Sequence, residues 1–321
     1  AAPEGLRDLR IVGEDRGHQR TRAAIGDLYG LDPERIVCGN GSDDLLYLLA
    51  TAYAGPGDEV LITKHSFAMY QIAAQSVGAT PVIAPDRLLG SDVDSLLKHV
   101  GPDTRVCYLA NPNNPTGTFL SSDEVARLRE GLSDSVLLVI DAAYAEYVRR
   151  EGYSDGIALV GRYDNVVVTR TFSKIFGLAS LRLGWLYGPS KVVDALNRIR
   201  CPFNANGAAQ AAGMAALKDV AFVEAAVAHN EQWRPWLEKE LGGLGLTVHP
   251  SIANFVLIEF ERSPRSQSAA RAYDYLLQNG VIGRELRGYN LPNCLRFSVG
   301  LEEDNRLLVD LIAKFIGPSR R

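Results

Sequence analysis

The sequence predicts an α/β protein with two domains, a large one built on a mostly parallel sheet sandwiched by helices and a small C-terminal α+β one. Short apolar, β-branched runs alternate with helical patterns through residues 58–110, an order typical of parallel strands joined by crossover helices. A Gly-Gly-Leu-Gly run occupies residues 242–245, and the residues after it are predicted to form short strands and amphipathic helices. We therefore place the large domain at residues 31–241, and the small domain at residues 1–30 and 242–321.

Length and composition fit this prediction. A chain of 321 residues can bury a large core and is long enough for about two domains. Charged residues at 22% and apolar residues at 46% are near the globular average, and the net charge of -4 argues against general nucleic-acid binding. No run approaches the ~20 apolar residues that span a bilayer, and the N-terminus lacks the apolar core of a signal peptide. We expect a cytoplasmic protein.

Histidine and cysteine spacing predicts no metal site. The five histidines are isolated, without H-E-x-x-H or similar ligand spacing. The four cysteines include no C-x-x-C pair, and we interpret them as reduced thiols. They are Cys38, Cys107, Cys201 and Cys294.

Local patterns predict the individual elements. Apolar, β-branched runs bounded by turn residues predict strands at residues 35–38, 59–63, 80–84, 105–110, 136–140, 165–168, 183–187, 254–260, 281–284 and 295–299. Helical periodicity predicts helices at residues 21–29, 45–54, 67–76, 93–100, 192–199, 208–217, 220–241, 269–278 and 303–315. In a sheet of this kind, the functional loops lie at the carboxyl ends of the parallel strands.

The loop Gly-Asn-Gly-Ser-Asp-Asp at residues 39–44 joins the first strand to a helix. A glycine turn lets backbone N–H groups approach an anion, and the helix N-terminus adds a partial positive charge. The candidate anion-binding residues are Gly41, Ser42 and Asp43. A plain N-cap by Ser42 or Asp43 is the alternative, and the two interpretations are compatible.

Two further loops follow predicted strands. Residues 111–117 read Asn-Pro-Asn-Asn-Pro-Thr-Gly, which predicts a rigid turn. Because the turn is rigid, holding the Asn114 amide in place costs little conformational entropy. Asp141 stands at the end of an apolar strand, and Tyr144 follows three residues later. A surface turn and a strand-end cap are the alternative interpretations.

The stretch around Lys174 carries the most specific chemistry. Thr171 and Ser173 precede this lysine, and Arg182 follows it. A lysine amine condenses with an aldehyde to a Schiff base, while hydroxyls and an arginine fork suit a phosphate, so the stretch suggests pyridoxal phosphate. Taken alone, Lys174 also fits a solvated helix lysine. We set aside a Ser-x-x-Lys nucleophile, because Thr171 replaces the serine and no Lys-Thr-Gly follows.

Together, these motifs resemble those of fold-type-I pyridoxal-phosphate aminotransferases, most closely the histidinol-phosphate aminotransferase family, over about residues 31–315. The resemblance implies pyridoxal 5'-phosphate as the cofactor, with Lys174 as its Schiff-base lysine and as the general base. It also implies that Asp141 keeps the pyridine nitrogen protonated, that Asn114 and Tyr144 bond the ring hydroxyl, and that Phe67 stacks on the ring. The residues implied for the cofactor phosphate are Gly41, Ser42, Asp43, Thr171, Ser173 and Arg182.

The closest resemblance implies a homodimer that converts L-histidinol phosphate and 2-oxoglutarate to imidazole acetol phosphate and glutamate. Arg296 matches the family's substrate-anion arginine, and we expect Arg284 or Arg287 to share its cleft. A decarboxylase of the threonine-phosphate type, an aminotransferase for another amino acid and a non-catalytic effector domain are the alternatives. Family members usually carry Asn-Pro-Tyr and Tyr-Pro-Asp segments near the N-terminus. This chain begins too late for the former and has Gly-Glu-Asp at residues 13–15 near the place of the latter, so we expect a more open substrate pocket.

Overall fold

The computed structural model describes residues 18–260 and 268–317 of the chain. The Gly-Glu-Asp segment at residues 13–15 lies outside the described residues. Within them, the chain forms a seven-stranded sheet and a four-stranded sheet, each packed against helices. No helix of this part of the chain is both long and apolar enough to cross a membrane.

The large sheet is mostly parallel, as predicted. Its strands are β1 (Ile36–Gly39), β2 (Glu59–Thr63), β3 (Thr80–Ala84), β4 (Thr104–Ala110), β5 (Leu137–Asp141), β6 (Val166–Thr171) and β7 (Gly184–Tyr187). Their spatial order is β1-β7-β6-β5-β4-β2-β3. Strands β2 to β6 pair in parallel, whereas β7 runs antiparallel to both β6 and β1.

Helices connect these strands and cover both faces of the sheet. They are α1 (Gln19–Tyr29), α2 (Ser42–Tyr53), α3 (Ala68–Ser76), α4 (Val93–Lys98), α5 (Ser122–Gly131), α6 (Ile157–Val160), α7 (Ser190–Ile199), α8 (Gly207–Lys218) and α9 (Val220–Gly243). Helix α5 has no counterpart among the predicted elements. The sequence nevertheless indicates where this helix begins. Ser121 and Glu124 form a capping box, in which each side chain accepts a hydrogen bond from the backbone N–H of the other residue.

The apolar strands are explained by two cores, one on each face of the large sheet. Leu138 and Ile140 of β5 pack into one core, while Leu137 and Val139 pack into the other. All four side chains are buried, since alternate residues of a strand point to opposite faces. A continuous apolar run is therefore what a parallel strand covered on both sides requires.

The smaller sheet is antiparallel and packs one face against helices. Its strands are β8 (Thr247–His249), β9 (Phe255–Glu259), β10 (Arg284–Glu285) and β11 (Cys294–Ser298), in the order β10-β11-β9-β8. The helices are α10 (Ala269–Gln278), α11 (Glu302–Ile316) and the C-terminal part of α9. The strand predicted at residues 281–284 is wrong in its bounds, because pairing with β11 begins only at Arg284 and Ile282 is 77% exposed. The predicted domain limits stay predictions.

Candidate active site

A cavity lies at the carboxyl ends of the parallel strands of the large sheet, beside the N-terminus of α2. It brings together ten of the residues that the sequence singled out: Ser42, Asp43, Phe67, Asn114, Asp141, Tyr144, Thr171, Ser173, Lys174 and Arg182. These residues come from loops more than a hundred positions apart, and the sheet topology is what makes them neighbours.

Lys174 lies in a tight turn directly after β6. The Ser173 N–H donates to the Thr171 hydroxyl at 3.1 Å, and the Gly177 N–H donates to the Lys174 carbonyl at 3.0 Å. The Lys174 side chain is half-buried, and its Nζ lies 5.2 Å from the centroid of the Tyr144 ring. The lysine therefore faces the cavity, which does not fit a solvated helix lysine.

Asp141, the last residue of β5, is buried at the floor of the cavity. The Tyr70 hydroxyl donates to Asp141 Oδ2 at 2.8 Å, and the Thr169 hydroxyl donates to Oδ1 at 3.2 Å. Burial raises the pKa of the Asp141 carboxyl, while these two hydrogen bonds favour its charged form and oppose the shift. The result is a fixed, desolvated carboxylate with both oxygens held in place.

Donors suited to an anion collect around Arg182. Its guanidinium donates to Asp43 Oδ2 at 3.0 Å and to Ser173 Oγ at 3.3 Å. Gly41 has φ +81°, and a side chain there would collide with this guanidinium. Ser42 begins α2, and the first N–H groups of a helix have no partner within the helix. These N–H groups, the Ser173 hydroxyl and the Arg182 guanidinium together suit an anion.

The Asn-Pro-Asn-Asn-Pro-Thr-Gly loop fixes its asparagines in different ways. Asn111 exchanges two hydrogen bonds with the backbone of Leu120, at 2.9 and 3.1 Å. Asn113 donates to the carbonyl of His65 at 2.8 Å. Because these two amides hold the loop from within, Asn114 is the one that lines the cavity.

The three arginines predicted to bind substrate do not share one position. Arg296 on β11 contacts a residue that lines the cavity, because its Nη1 donates to Asn114 Oδ1. Arg284 lies opposite Arg296 in the β10–β11 pair and lines a neighbouring cleft together with it. Arg287 forms an ion pair with Glu285 at 3.3 Å, is 64% exposed, and is not among the residues that line the Lys174 cavity.

The residues of the cavity fit pyridoxal phosphate. The cavity is lined by a buried carboxylate, Asp141, which suits a ring nitrogen, and by the Arg182 cluster (Arg182, Ser173 and the N-terminus of α2), which suits a phosphate. The Lys174 amine and the Phe67 ring line the same cavity. This donor set is also the one that the sequence motifs predict.

Sequence reasoning missed two groups that support the site. Tyr70 follows Phe67 by one turn of α3, and its aromatic character alone indicated only a core residue. Arg170 lies on β6, where its buried guanidinium pairs with Glu146 Oε1 at 2.7 Å and with Asp155. A charged residue within an apolar strand was the available signal for Arg170, because such a residue is buried only when paired.

Comparisons with known proteins agree with this geometry. The model of the family "Aminotransferase class I and II" matches residues 6–312 of the chain. Histidinol-phosphate aminotransferases of Rhodospirillum centenum and Paramagnetospirillum magneticum are 51% and 53% identical to it, over 98% of this chain and 88% of each relative. The crystal structure of histidinol-phosphate aminotransferase from Sinorhizobium meliloti, in complex with pyridoxal-5'-phosphate, superposes with a TM-score of 0.85 at 25% identity. That alignment covers 98% of this chain and 87% of the other.

Proposed function

The chain belongs to the class I and II aminotransferase family, and we propose that it transfers the amino group of L-histidinol phosphate to 2-oxoglutarate with pyridoxal 5'-phosphate as cofactor. The products are imidazole acetol phosphate and glutamate. The proposal is supported by one observation above all, which is that Lys174, Asp141 and the Arg182 cluster line the same cavity. The two relatives at 51% and 53% identity, both histidinol-phosphate aminotransferases, support the choice of substrate.

The residues of the chain divide the chemistry between them. Bound pyridoxal phosphate supplies a carbonyl that condenses with amines and a ring that withdraws electrons from the substrate α-carbon. Lys174 would hold the cofactor covalently between turnovers, and its amine would act as the base that moves the proton at the substrate α-carbon. Asp141, held by Tyr70 and Thr169, keeps a proton on the ring nitrogen.

Polar residues in and beside the cavity bind and orient the cofactor and the substrates. Thr171, Ser173, Arg182 and the backbone at Ser42 hold the cofactor phosphate. Arg296 binds the carboxylate of 2-oxoglutarate and, in the other half-reaction, the phosphate of the amino donor. Because both substrates carry an anion, one arginine pocket serves both half-reactions. Arg284, opposite Arg296 in the sheet, adds a second positive charge at this position.

We also propose that the enzyme is a homodimer, the state that the family resemblance implies. A pair related by a twofold axis is the commonest closed assembly, and in such a pair the same surface of each copy forms the interface. The cytoplasmic location stays a prediction.

Single half-reactions test the proposed substrate. The holoenzyme is mixed with one amino donor at a time, without a 2-oxo acid, and the visible absorbance of the cofactor is followed. We expect L-histidinol phosphate to convert the cofactor to its amine form faster than aromatic or aliphatic amino acids do. Failure of histidinol phosphate where amino acids succeed would leave only the aminotransferase class. Release of carbon dioxide from threonine phosphate, with the starting absorbance restored after each turnover, would favour the decarboxylase.

A further inference from the structure

Three side chains of the small sheet bring potential metal ligands together outside the active site. They are His249 on β8, Glu259 on β9 and Cys294 on β11. Their ligand atoms all lie within 4.8 Å of one another, and His249 Nε2 lies 3.0 Å from Glu259 Oε2. The three residues are spread over 46 positions of the sequence, which is why no local ligand spacing reveals them.

The strand register explains the convergence. Cys294 is directly opposite Glu259 in the β9–β11 pair, and Thr247 is opposite Glu259 in the β8–β9 pair. His249 is two residues beyond Thr247, so its side chain lies on the same face of the sheet. Three hydrogen-bonded strands therefore present one ligand each from a rigid support.

We propose that His249, Glu259 and Cys294 bind a thiophilic divalent cation of the Zn²⁺ type. Imidazole, carboxylate and thiolate are the ligands that zinc takes, and three protein ligands leave a fourth position for water. Tetrahedral zinc with bonds of ~2.0 to 2.3 Å places its ligand atoms roughly 3.2 to 3.8 Å apart. The present separations, within 4.8 Å, need only small side-chain shifts to reach that geometry.

The surroundings give the site one closed side and one open side. Cys294 is buried and packs with Leu257, Leu286 and Leu291, which exclude water behind the sulfur. The Glu259 side chain is 42% exposed, so an ion can enter from solvent and keep a water ligand. Because the thiolate is the form that binds the ion, an entering ion displaces the proton of the Cys294 thiol to solvent.

An ion at this position would join three strands of the small sheet. One of them, β11, carries Arg296 two residues after Cys294 and on the same face. Since an ion that binds only the folded state raises its stability, occupancy should stabilise the strand that presents the substrate arginine.

Cobalt provides the test, because Co²⁺ occupies zinc sites and shows a charge-transfer band only with a thiolate ligand. The metal-free holoenzyme is titrated with Co²⁺ in phosphate-free buffer, and its spectrum before addition is subtracted. We expect one equivalent of Co²⁺ to give thiolate charge-transfer and tetrahedral visible bands, and Zn²⁺ to remove them. The melting temperature of the holoenzyme should rise with Zn²⁺ in the same concentration range.

Variants assign the bands. Cys294→Ala should abolish the charge-transfer band, and His249→Gln should weaken Co²⁺ binding at least about tenfold. Cys201→Ser is the matched control, because Cys201 is an exposed free thiol elsewhere in the chain, and this variant should keep the bands. Circular dichroism and cofactor absorbance check that each variant is folded. Absence of a thiolate band in the parent protein, or its persistence in Cys294→Ala, would overturn the proposal.

Discussion

At the residue scale, the proposed function gives the Lys174 amine two tasks. It would bind the cofactor covalently and move the proton at the substrate α-carbon. We expect Lys174→Ala to fold, to lose its cofactor on dialysis and to show no turnover. Lys191→Ala, a change at an exposed lysine, should retain both properties. Cofactor absorbance after dialysis and product formation are the measurements, and normal turnover by Lys174→Ala would refute the assignment.

In the proposed function Asp141 acts through its charge, so its neutral isostere separates an effect on the reaction from an effect on folding. An amide cannot keep the ring nitrogen protonated as a carboxylate does, and we expect Asp141→Asn to slow the half-reaction at least tenfold, a loss of ~1.4 kcal/mol or more. Stopped-flow absorbance with a single amino donor measures this rate. A rate within about threefold of the parent would mean that Asp141 does not hold the ring nitrogen.

The stability of the cofactor-free protein is the control for this variant. Because burial raises the folded-state pKa of Asp141 above its unfolded value, ionisation of this carboxyl costs stability, and the cost grows as pH rises through the folded pKa. Asparagine does not ionise. Cofactor-free Asp141→Asn should therefore be at least as stable as the parent at neutral pH, with an advantage that shrinks toward acid pH. Urea unfolding at several pH values measures the difference, and a less stable variant at neutral pH would speak against a costly buried charge.

At the scale of elements, β6 connects the Lys174 turn to a buried ion network. The Arg170 guanidinium is only 4% exposed and pairs with Glu146 and Asp155, and it also lies over the Tyr29 ring at 5.3 Å. Burial works against the Arg170 charge, but the two carboxylates hold its pKa above the usual range. We expect Arg170→Met to cost about 3 to 5 kcal/mol in the free energy of unfolding, because it leaves the Glu146 carboxylate, which is 8% exposed, without its partner.

An exposed pair provides the comparison. Arg127 pairs with Asp94 at the surface, with 51% and 81% of the side chains exposed. Exposed ion pairs contribute about 0 to 1 kcal/mol, so Arg127→Met should change the free energy of unfolding by no more than that. Urea unfolding of the two variants decides the point. Equal costs would show that the Arg170 network is no more important than a surface contact.

The sequence predicted elements best where local pattern and packing agree. The strands at residues 59–63 and 80–84 and the helix at residues 269–278 match β2, β3 and α10 without a shift. Strand β8, by contrast, has three residues and exists through its pairing with β9, which no local pattern encodes. The start of β10 was misplaced for the same reason, since its apolar neighbours at residues 281–282 have no partner strand.

The same distinction holds for the candidate site. Asn114, Asp141 and Lys174 lie in loops with specific local motifs, and the structure brings them into one cavity. Tyr70 could not be assigned in this way, because its hydroxyl reaches Asp141 across 71 positions of the sequence. Pairings between distant elements are fixed by the tertiary fold, so a single sequence does not display them.

At the scale of the whole molecule, the two sheets meet where Arg296 of the small sheet bonds Asn114 at the rim of the Lys174 cavity. The proposed function therefore places substrate recognition on the small sheet and cofactor chemistry on the large sheet. We expect the active species to be a homodimer with one surface repeated about a twofold axis. Sedimentation equilibrium of the holoenzyme at assay concentration measures its mass, and full activity in a purely monomeric sample would contradict the homodimer.

The central claim is that this chain moves an amino group from histidinol phosphate to 2-oxoglutarate. The most direct measurement is glutamate formation by the holoenzyme when both substrates are supplied, with imidazole acetol phosphate quantified in the same samples. We predict equal amounts of the two products, and none when either substrate is omitted or when Lys174→Ala replaces the parent. Consumption of histidinol phosphate without glutamate, or glutamate formation that does not depend on histidinol phosphate, would contradict the claim.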